Sequence, residues 1–478
     1  MTFRKLFVVL MPLLIAGSCI STEKHPGQER EFPAQGVVHE HRFPTPDSTN
    51  SYALYIPPHH GKSNLPCIIF FDPHGDGIFP LKRYQALADQ YQFVLIGSNR
   101  IRNGMDPAEI DRRVEGLFTE AGKNLPVDSS RIILAGFSGG ARIATLSGFY
   151  KVPAKGIIAC GAGLAGASAA PVYSPDYYAI AGLADFNMNE IAELGIPLSG
   201  AGIRHAISTF RGVHEWPPAE AMEDAFRWTI LNAMRDGQIS PDTALMHQVS
   251  GKLLQSASRC IGNGFLLDAM EMAKKGIAFG DGLFPVTSFI TLVKQLELQS
   301  GYHQQAAFRK KMMTEEEAER QLAMSAMQEN SEAWWKGYLE KLNRDENRLI
   351  EEIQDSAIVV TMDTWQSLEV KMKTQRILSF LRVLLYMNAT AVVTSTNEEA
   401  ARKLVTVYRY ADPRNPEPLY LEAVLEARGP EPAKALSKLE EAINLGFHDT
   451  KRIVSQQEFQ SLKESAHYFE LLQKAGHE

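Results

Sequence analysis

The 478-residue sequence is poor in cysteine, with four in all, at positions 19, 67, 160 and 260. They form no Cys-x-x-Cys pair and have no histidine cluster beside them, so neither a disulfide scaffold nor a zinc site fits their spacing. Cys67 and Cys160 stand in apolar runs and read as small buried hydrophobes. The chain also lacks a basic stripe. Its 49 lysines and arginines against 56 aspartates and glutamates leave a formal charge of -7, which argues against nucleic acid as a partner. Nor is the composition that of a disordered chain, since 45% of residues are hydrophobic and 22% charged. This length exceeds one modest core and implies two or three domains.

What is present begins at the N-terminus. "MTFRKLFVVLMPLLIAGSC" joins a basic start (Arg4, Lys5) to an apolar run and small residues before a cysteine, the pattern of an export signal over residues 1–18. The run is shorter than the about 20 apolar residues that a spanning helix needs. Ala16-Gly17-Ser18-Cys19 resembles the lipobox of bacterial lipoproteins, with Ala16 in place of the usual leucine. That resemblance implies cleavage before Cys19, a lipid attached to it, and a membrane-anchored lipoprotein of the cell envelope. A periplasmic or secreted protein is the alternative. The polar stretch over residues 19–34 reads as a tether.

From residue 35 strand and helix signals alternate. "YALYIP" (52–57), "CIIFF" (67–71), "FVLIGSN" (93–99), "RIILAG" (131–136), "GIIACGAG" (156–163) and "YYAIAG" (177–182) are short apolar segments, the form of parallel strands covered on both faces. "PLKRYQALADQY" (80–91) and "PAEIDRRVEGLFTEAGKN" (107–124) have helical periodicity and each opens on a proline. The alternation predicts an α/β domain with a mostly parallel sheet over residues 35–238, closed by an amphipathic helix within 217–237. Residues 239–478 are helical in character. Within them "YRYADPRNPEPLYLEAVLEARGPEPAKALSKLEEAINLGF" (408–447) resembles a tetratricopeptide-type repeat through the Asp412-Pro413 turn, Tyr420, Ala435, Ala442, Gly446 and Phe447. Such a region implies a surface for a protein partner.

Gly136-Phe137-Ser138-Gly139-Gly140 fits G-x-S-x-G, the nucleophile elbow. In a chain with 35 glycines the pentapeptide alone is a weak signal, but a strand before it and a helix after it are what the elbow requires. Ser138 is the candidate nucleophile, and it needs a base. His205 opens the run read as the last strand and is more fitly structural; His214 follows that strand in a loop and is the candidate base. The acid belongs in the loop after the preceding strand, where Asp185 is better placed than Glu190. Asp185 as a helix cap is the bland alternative. An oxyanion hole takes one N–H from Gly139 and another from the loop "FFDPHGDGIFP", at Gly75 or Asp76. Asp72, His74 and Asp76 suggest a metal less well than they suggest this loop.

Taken together, "GFSGG", "LADF", "GVHEWP" and "DPHGDG" resemble a serine-dependent α/β-hydrolase of the esterase branch that includes polyhydroxybutyrate depolymerases and feruloyl esterases. The resemblance spans residues 35–238. It implies an acyl-enzyme route through Ser138, His214 and Asp185, with no cofactor and no metal. Only "GLAGASAAPVYSPD" separates the sixth and seventh strands, too little for a lid domain, so the cleft is expected to be open to esters borne on large molecules such as acylated polysaccharides. Two other readings stay open: a serine peptidase, and a non-catalytic binding or scaffold lipoprotein that works through its helical half. Trp334, Trp335 and Tyr338 either pack as core or stack on a sugar, and helical spacing favours core.

Overall fold

The apolar segments become strands β1 (Val38–Arg42), β2 (Tyr52–Tyr55), β3 (Leu65–Phe71), β4 (Val94–Ser98), β5 (Val127–Phe137), β6 (Gly156–Cys160), β7 (Asp176–Gly182) and β8 (His205–Phe210). The computed structural model describes residues 32–44, 47–58, 64–164, 170–329, 331–347, 360–394 and 397–476. The export signal, Cys19 and most of the tether lie outside these residues. The strands form one eight-stranded sheet in the order β1-β2-β4-β3-β5-β6-β7-β8. β1 and β2 pair antiparallel, as do β2 and β4, and every other pair is parallel. Helices α1 (Ile78–Tyr91), α2 (Pro107–Asn124), α3 (Gly139–Tyr150), α4 (Met188–Ala192), α5 (Gly195–Gly200) and α6 (Ala219–Arg235) fill the connections. This is the order and connectivity of the α/β-hydrolase fold.

Alternation along each strand explains why the runs are apolar throughout. Ile69, Leu134 and Ile157 face one layer of the core, with Val114 and Leu117 of α2 and Ala144 of α3. Their neighbours Ile68, Ile133 and Ile158 face the other, with Leu81 of α1 and Phe226 of α6. Both faces are covered, so the central strands are apolar on both sides. Cys67 and Cys160 are fully buried, and burial pushes both thiols well above their usual range. β1 is the strand the periodicity misses. Its sequence, VHEHR, is charged and half-exposed at the sheet edge, and its register with β2 shifts between His39 and Arg42. Edge strands are commonly blunted this way.

Helix starts follow local chemistry. Asp106 accepts from the N–H groups of Ala108 and Glu109, and Pro107 occupies the first turn, so α2 begins where the proline does. α1 starts two residues before Pro80, because Asp76 Oδ1 accepts from the N–H groups of Ile78 and Phe79, both at 3.1 Å. Pro80 then lies within the first turn, where its missing N–H costs nothing.

The remaining helices are α7 (Thr243–Gly262), α8 (Leu266–Gly280), α9 (Thr287–Glu297), α10 (Ser300–Glu329), α11 (Glu332–Asn347), α12 (Met362–Val393), α13 (Glu398–Ala411), α14 (Glu417–Glu426), α15 (Pro432–Asn444), α16 (Thr450–Ser455) and α17 (Ala466–Ala475), with a 3-10 turn over Gln457–Glu464. The secondary structure changes at residue 239, but packing continues across it. Met246, Val249 and Leu253 of α7, Phe279 of α8 and Phe289 of α9 share one apolar cluster with Phe226 and Trp228 of α6. A second core lies among α10 to α17 around Trp335, Leu385, Tyr408 and Tyr420. Trp334 stacks on Tyr338 at 5.1 Å, and both pack against this core. Tyr420 stacks on Phe447 at 4.3 Å, over buried Ala435 and Ala442. Among the described residues α12 alone is long and apolar enough to cross a membrane, yet its Ile377, Leu378, Leu381 and Leu385 are fully buried in this second core.

Lys275 of α8 ties the helical part to the sheet. Its ammonium, almost fully buried, reaches Asp224 at 2.9 Å and the Ser208 hydroxyl at 2.7 Å. Lys275→Met leaves the Asp224 carboxylate without this partner. It is expected to cost about 3 kcal/mol of unfolding free energy, read from urea denaturation of the full chain.

Candidate active site

Strand β5 ends at Phe137 and α3 begins at Gly139, so Ser138 alone makes the turn. It does so at φ 53 and ψ -120, a conformation rare for a residue with a side chain. Close approach on every side forces that geometry. A Cβ on Gly136 would lie 2.1 Å from the Gly140 carbonyl oxygen, and one on Gly140 would lie 1.9 Å from the Phe71 carbonyl oxygen of β3. The Ser138 N–H donates to the Cys160 carbonyl at 2.8 Å, which pins the turn to β6.

The hydroxyl this turn presents meets His214. Ser138 Oγ lies 2.9 Å from His214 Nε2, and His214 Nδ1 lies 2.9 Å from Asp185 Oδ1. With Nδ1–H donating to the carboxylate, Nε2 presents its lone pair to the serine hydroxyl. The Asp185 side chain is 1% exposed and that of His214 16%. Asp185 Oδ1 also accepts from the Asn187 N–H at 2.8 Å, so holding the loop ahead of α4 and facing the imidazole are one arrangement rather than rival ones. The His214 ring packs against those of Phe137 and Phe186, with centroids 4.6 and 4.2 Å away. Glu190, the other candidate carboxylate, is held instead by a two-pronged pair with Arg142, at 3.1 and 3.0 Å. His205 sits at the start of β8 with Nδ1 2.9 Å from the Ile203 carbonyl.

On the oxyanion side the expected donors separate. Gly139 opens α3, so its N–H has no acceptor within the helix. The Gly75 N–H is not free to serve: it closes a turn onto the Asp72 carbonyl at 3.0 Å, with Gly75 at φ 79. The Asp76 N–H has only a long contact of 3.5 Å to Asp72 Oδ1 and is the better candidate of the two. A third group was not visible in the motif. A Cβ on Gly139 would lie 1.8 Å from Oδ1 of Asn103, so the exposed Asn103 carboxamide sits directly over the elbow. The Asn103 backbone N–H donates to the Pro73 carbonyl at 2.9 Å, which fastens its loop to the oxyanion loop. Asp72 is spent on Trp216 Nε1 at 2.9 Å and the His74 N–H at 2.8 Å. Among the described residues no group of three or more His, Cys, Asp or Glu is placed to hold a metal ion.

Behind the acid and base loops lies a cavity of about 210 Å³, lined by Leu183, Ala184, Gly212 and Val213 on one side and by Phe265, Trp365, Leu368 and Met372 on the other. Asp268 opens into it, with Arg211 3.8 Å away. Burial pushes the Asp268 carboxyl up to about 6. The folded chain therefore binds this proton more tightly than the unfolded one does. The resulting stabilisation is complete below about pH 4 and is lost as pH rises through 6. For a side chain 24% exposed we expect Asp268→Asn to remove about 1–2 kcal/mol of that slope, measured by urea unfolding at pH 4, 5 and 6.5.

No protein-family model matches the chain, and no curated relative does. Solved structures similar to it include hydrolases. S-formylglutathione hydrolase from Staphylococcus aureus is 12% identical over 42% of this chain and 99% of its own, with a TM-score of 0.32. A thermophilic esterase from the Planctomycetes species Thermogutta terrifontis is 14% identical over 43% and 94%, with a TM-score of 0.33. A truncated carbohydrate esterase from gut microbiota is 15% identical over 42% and 99%, with a TM-score of 0.34. Likeness at this level decides nothing about the reaction, for which the side-chain geometry is the guide.

Proposed function

We propose that the protein is an exported serine hydrolase that cleaves carboxylic esters, anchored to the cell envelope by a lipid on Cys19. The observation that carries the enzymatic part is the unbroken hydrogen-bonded chain from Ser138, at the end of β5, through His214, after β8, to Asp185, after β7. Ser138 Oγ attacks the ester carbonyl carbon as its proton passes to His214 Nε2, and Asp185 stabilises the imidazolium so formed. The oxyanion is met by the Gly139 and Asp76 N–H groups and, with its carboxamide turned so that Nδ2–H rather than Oδ1 faces the elbow, by Asn103. Collapse breaks the bond to the alkoxy oxygen, which leaves with the proton from His214. Water then attacks the acyl-enzyme, gives its proton to His214, and frees the acid as Ser138 is reprotonated. The partly open His214 and the short connection between β6 and β7 favour esters carried on large molecules, acylated polysaccharides being the class we propose.

A fluorophosphonate probe is expected to label the wild type on one residue and to leave Ser138→Ala unlabelled. A folded wild type that resists the probe overturns the reading. Asp185→Asn is expected to lower kcat on a p-nitrophenyl ester by about 10⁴-fold. Better turnover of acetylated or feruloylated glycans than of the small free ester supports the proposed substrate class, and the reverse order removes it. Asn103→Ala should lower kcat by about a hundredfold with little change in KM, whereas an unchanged kcat excludes its carboxamide from the oxyanion hole.

A further inference from the structure

Two backbone carbonyls of the loop that carries Asp185 are bonded by arginines far downstream. Arg376 of α12, 193 residues on, donates through Nη1 to the Leu183 carbonyl at 2.7 Å. Arg320 of α10, 134 residues on, donates through Nη2 to the Phe186 carbonyl. One carboxylate joins them. Glu316 accepts from Arg376 Nε at 2.7 Å and from Arg320 Nη2 at 2.6 Å, and its side chain is wholly buried. The Arg376 side chain is 2% exposed and that of Arg320 is 15%. Arg320 is further fixed by the Phe380 ring, 4.8 Å beneath it.

The N–H groups of the same loop are satisfied from elsewhere. Leu183 donates to the Phe210 carbonyl at 2.8 Å, Ala184 to the Gly212 carbonyl at 2.9 Å, and Asp185 to the Gly182 carbonyl at 3.0 Å. The sheet part thus supplies acceptors to this loop, and α10 and α12 supply donors. A buried Arg–Glu–Arg triad is an inefficient way to gain stability, because desolvation consumes most of the attraction. Apolar side chains would pack as well. What they could not do is donate to two carbonyls in a fixed geometry. Leu183 and Phe186 bracket Asp185, and the Phe186 ring lies against the His214 imidazole, so both partners of Ser138 are reached from this one anchor.

We infer that Glu316, Arg320 and Arg376 are positioning residues of the catalytic site, through which the helical half holds Asp185 against His214. The inference rests on the hydrolase reading for its kinetic arm and on backbone exchange for its structural arm. The test uses the full chain with p-nitrophenyl acetate as the probe. Arg320→Met and the paired change Glu316→Gln with Arg376→Met are each made in wild-type and in Asp185→Asn backgrounds. In the wild-type background kcat is expected to fall by about 30- to 100-fold with KM changed less than about twofold. In the Asp185→Asn background the same changes should cost less than about threefold, because the residue they act through is already disabled. Arg320→Lys, which keeps the charge and a donor, should recover activity to within about fivefold. Amide exchange of residues 183–188 should quicken by at least about tenfold while that of β5 is unchanged.

An equal loss in both backgrounds assigns the triad a purely structural role and overturns the inference, as does unchanged exchange of residues 183–188. If the paired variant does not fold, Arg320→Met carries the same comparison. A wild type that hydrolyses no ester defeats the hydrolase reading on its own, and the exchange arm then decides whether the triad holds the loop.

Discussion

The site depends on how closely the elbow is pressed against β3. Gly140 approaches the Phe71 carbonyl so nearly that no side chain fits between them, and Gly136 faces Gly140 under the same limit. That contact keeps Ser138 in its left-handed conformation and aims its hydroxyl out of the sheet. It also brings the end of β3, and with it the loop from Asp72 to Asp76, beside the nucleophile. Nucleophile and oxyanion donors are therefore set by a single packing event between two parallel strands and one helix.

The other half of the site is assembled from loops that hold one another. Asp72, at the end of β3, bonds the indole of Trp216, two residues past His214. The Tyr84 hydroxyl donates to the Pro217 carbonyl at 2.7 Å and Arg83 to the carbonyls of Trp216 and Pro217, so the base loop is tied to α1 as well. Among the described residues the acid loop has no such tie to α1. Its N–H groups pair with β8, the base loop and its own turn, and its carbonyls with α10 and α12. The serine side of the site is rigid through backbone contact, and the acid side through buried charge.

How much of this was legible in the sequence follows from the range of each interaction. The elbow, its strand and its helix are local, and Gly136, Ser138 and Gly140 carry their constraint in the motif itself. Asp185 and His214 could be named from chain order because parallel strands place successive loops at one edge of the sheet. β1 could not be read, since an edge strand of charged residues has no apolar alternation to detect. The sequence leaves the second oxyanion donor between the N–H groups of Gly75 and Asp76, for which of them a turn consumes is settled by the turn's own hydrogen bond, here Gly75 to Asp72. Asn103 and the triad of Glu316, Arg320 and Arg376 left no signal at all. Each acts across a gap that only the folded chain closes, and a polar residue in a loop or on a helix reads as solvated until its partner is known.

The span between the acid loop and its arginines has a consequence in time. A chain made from its N-terminus can pair β3 with β5 and form the elbow as soon as those segments are available, for the contacts that set the turn, Gly136 to Gly140, Gly140 to Phe71 and Ser138 to Cys160, all lie within residues 71–160. The Leu183 carbonyl finds its donor only when residue 376 has been made, about four-fifths of the way along the chain. Until then the strained serine exists beside an acid loop whose Leu183 carbonyl lacks its arginine. The nucleophile is thus among the first features that this chain can build, and the geometry that arms it is among the last.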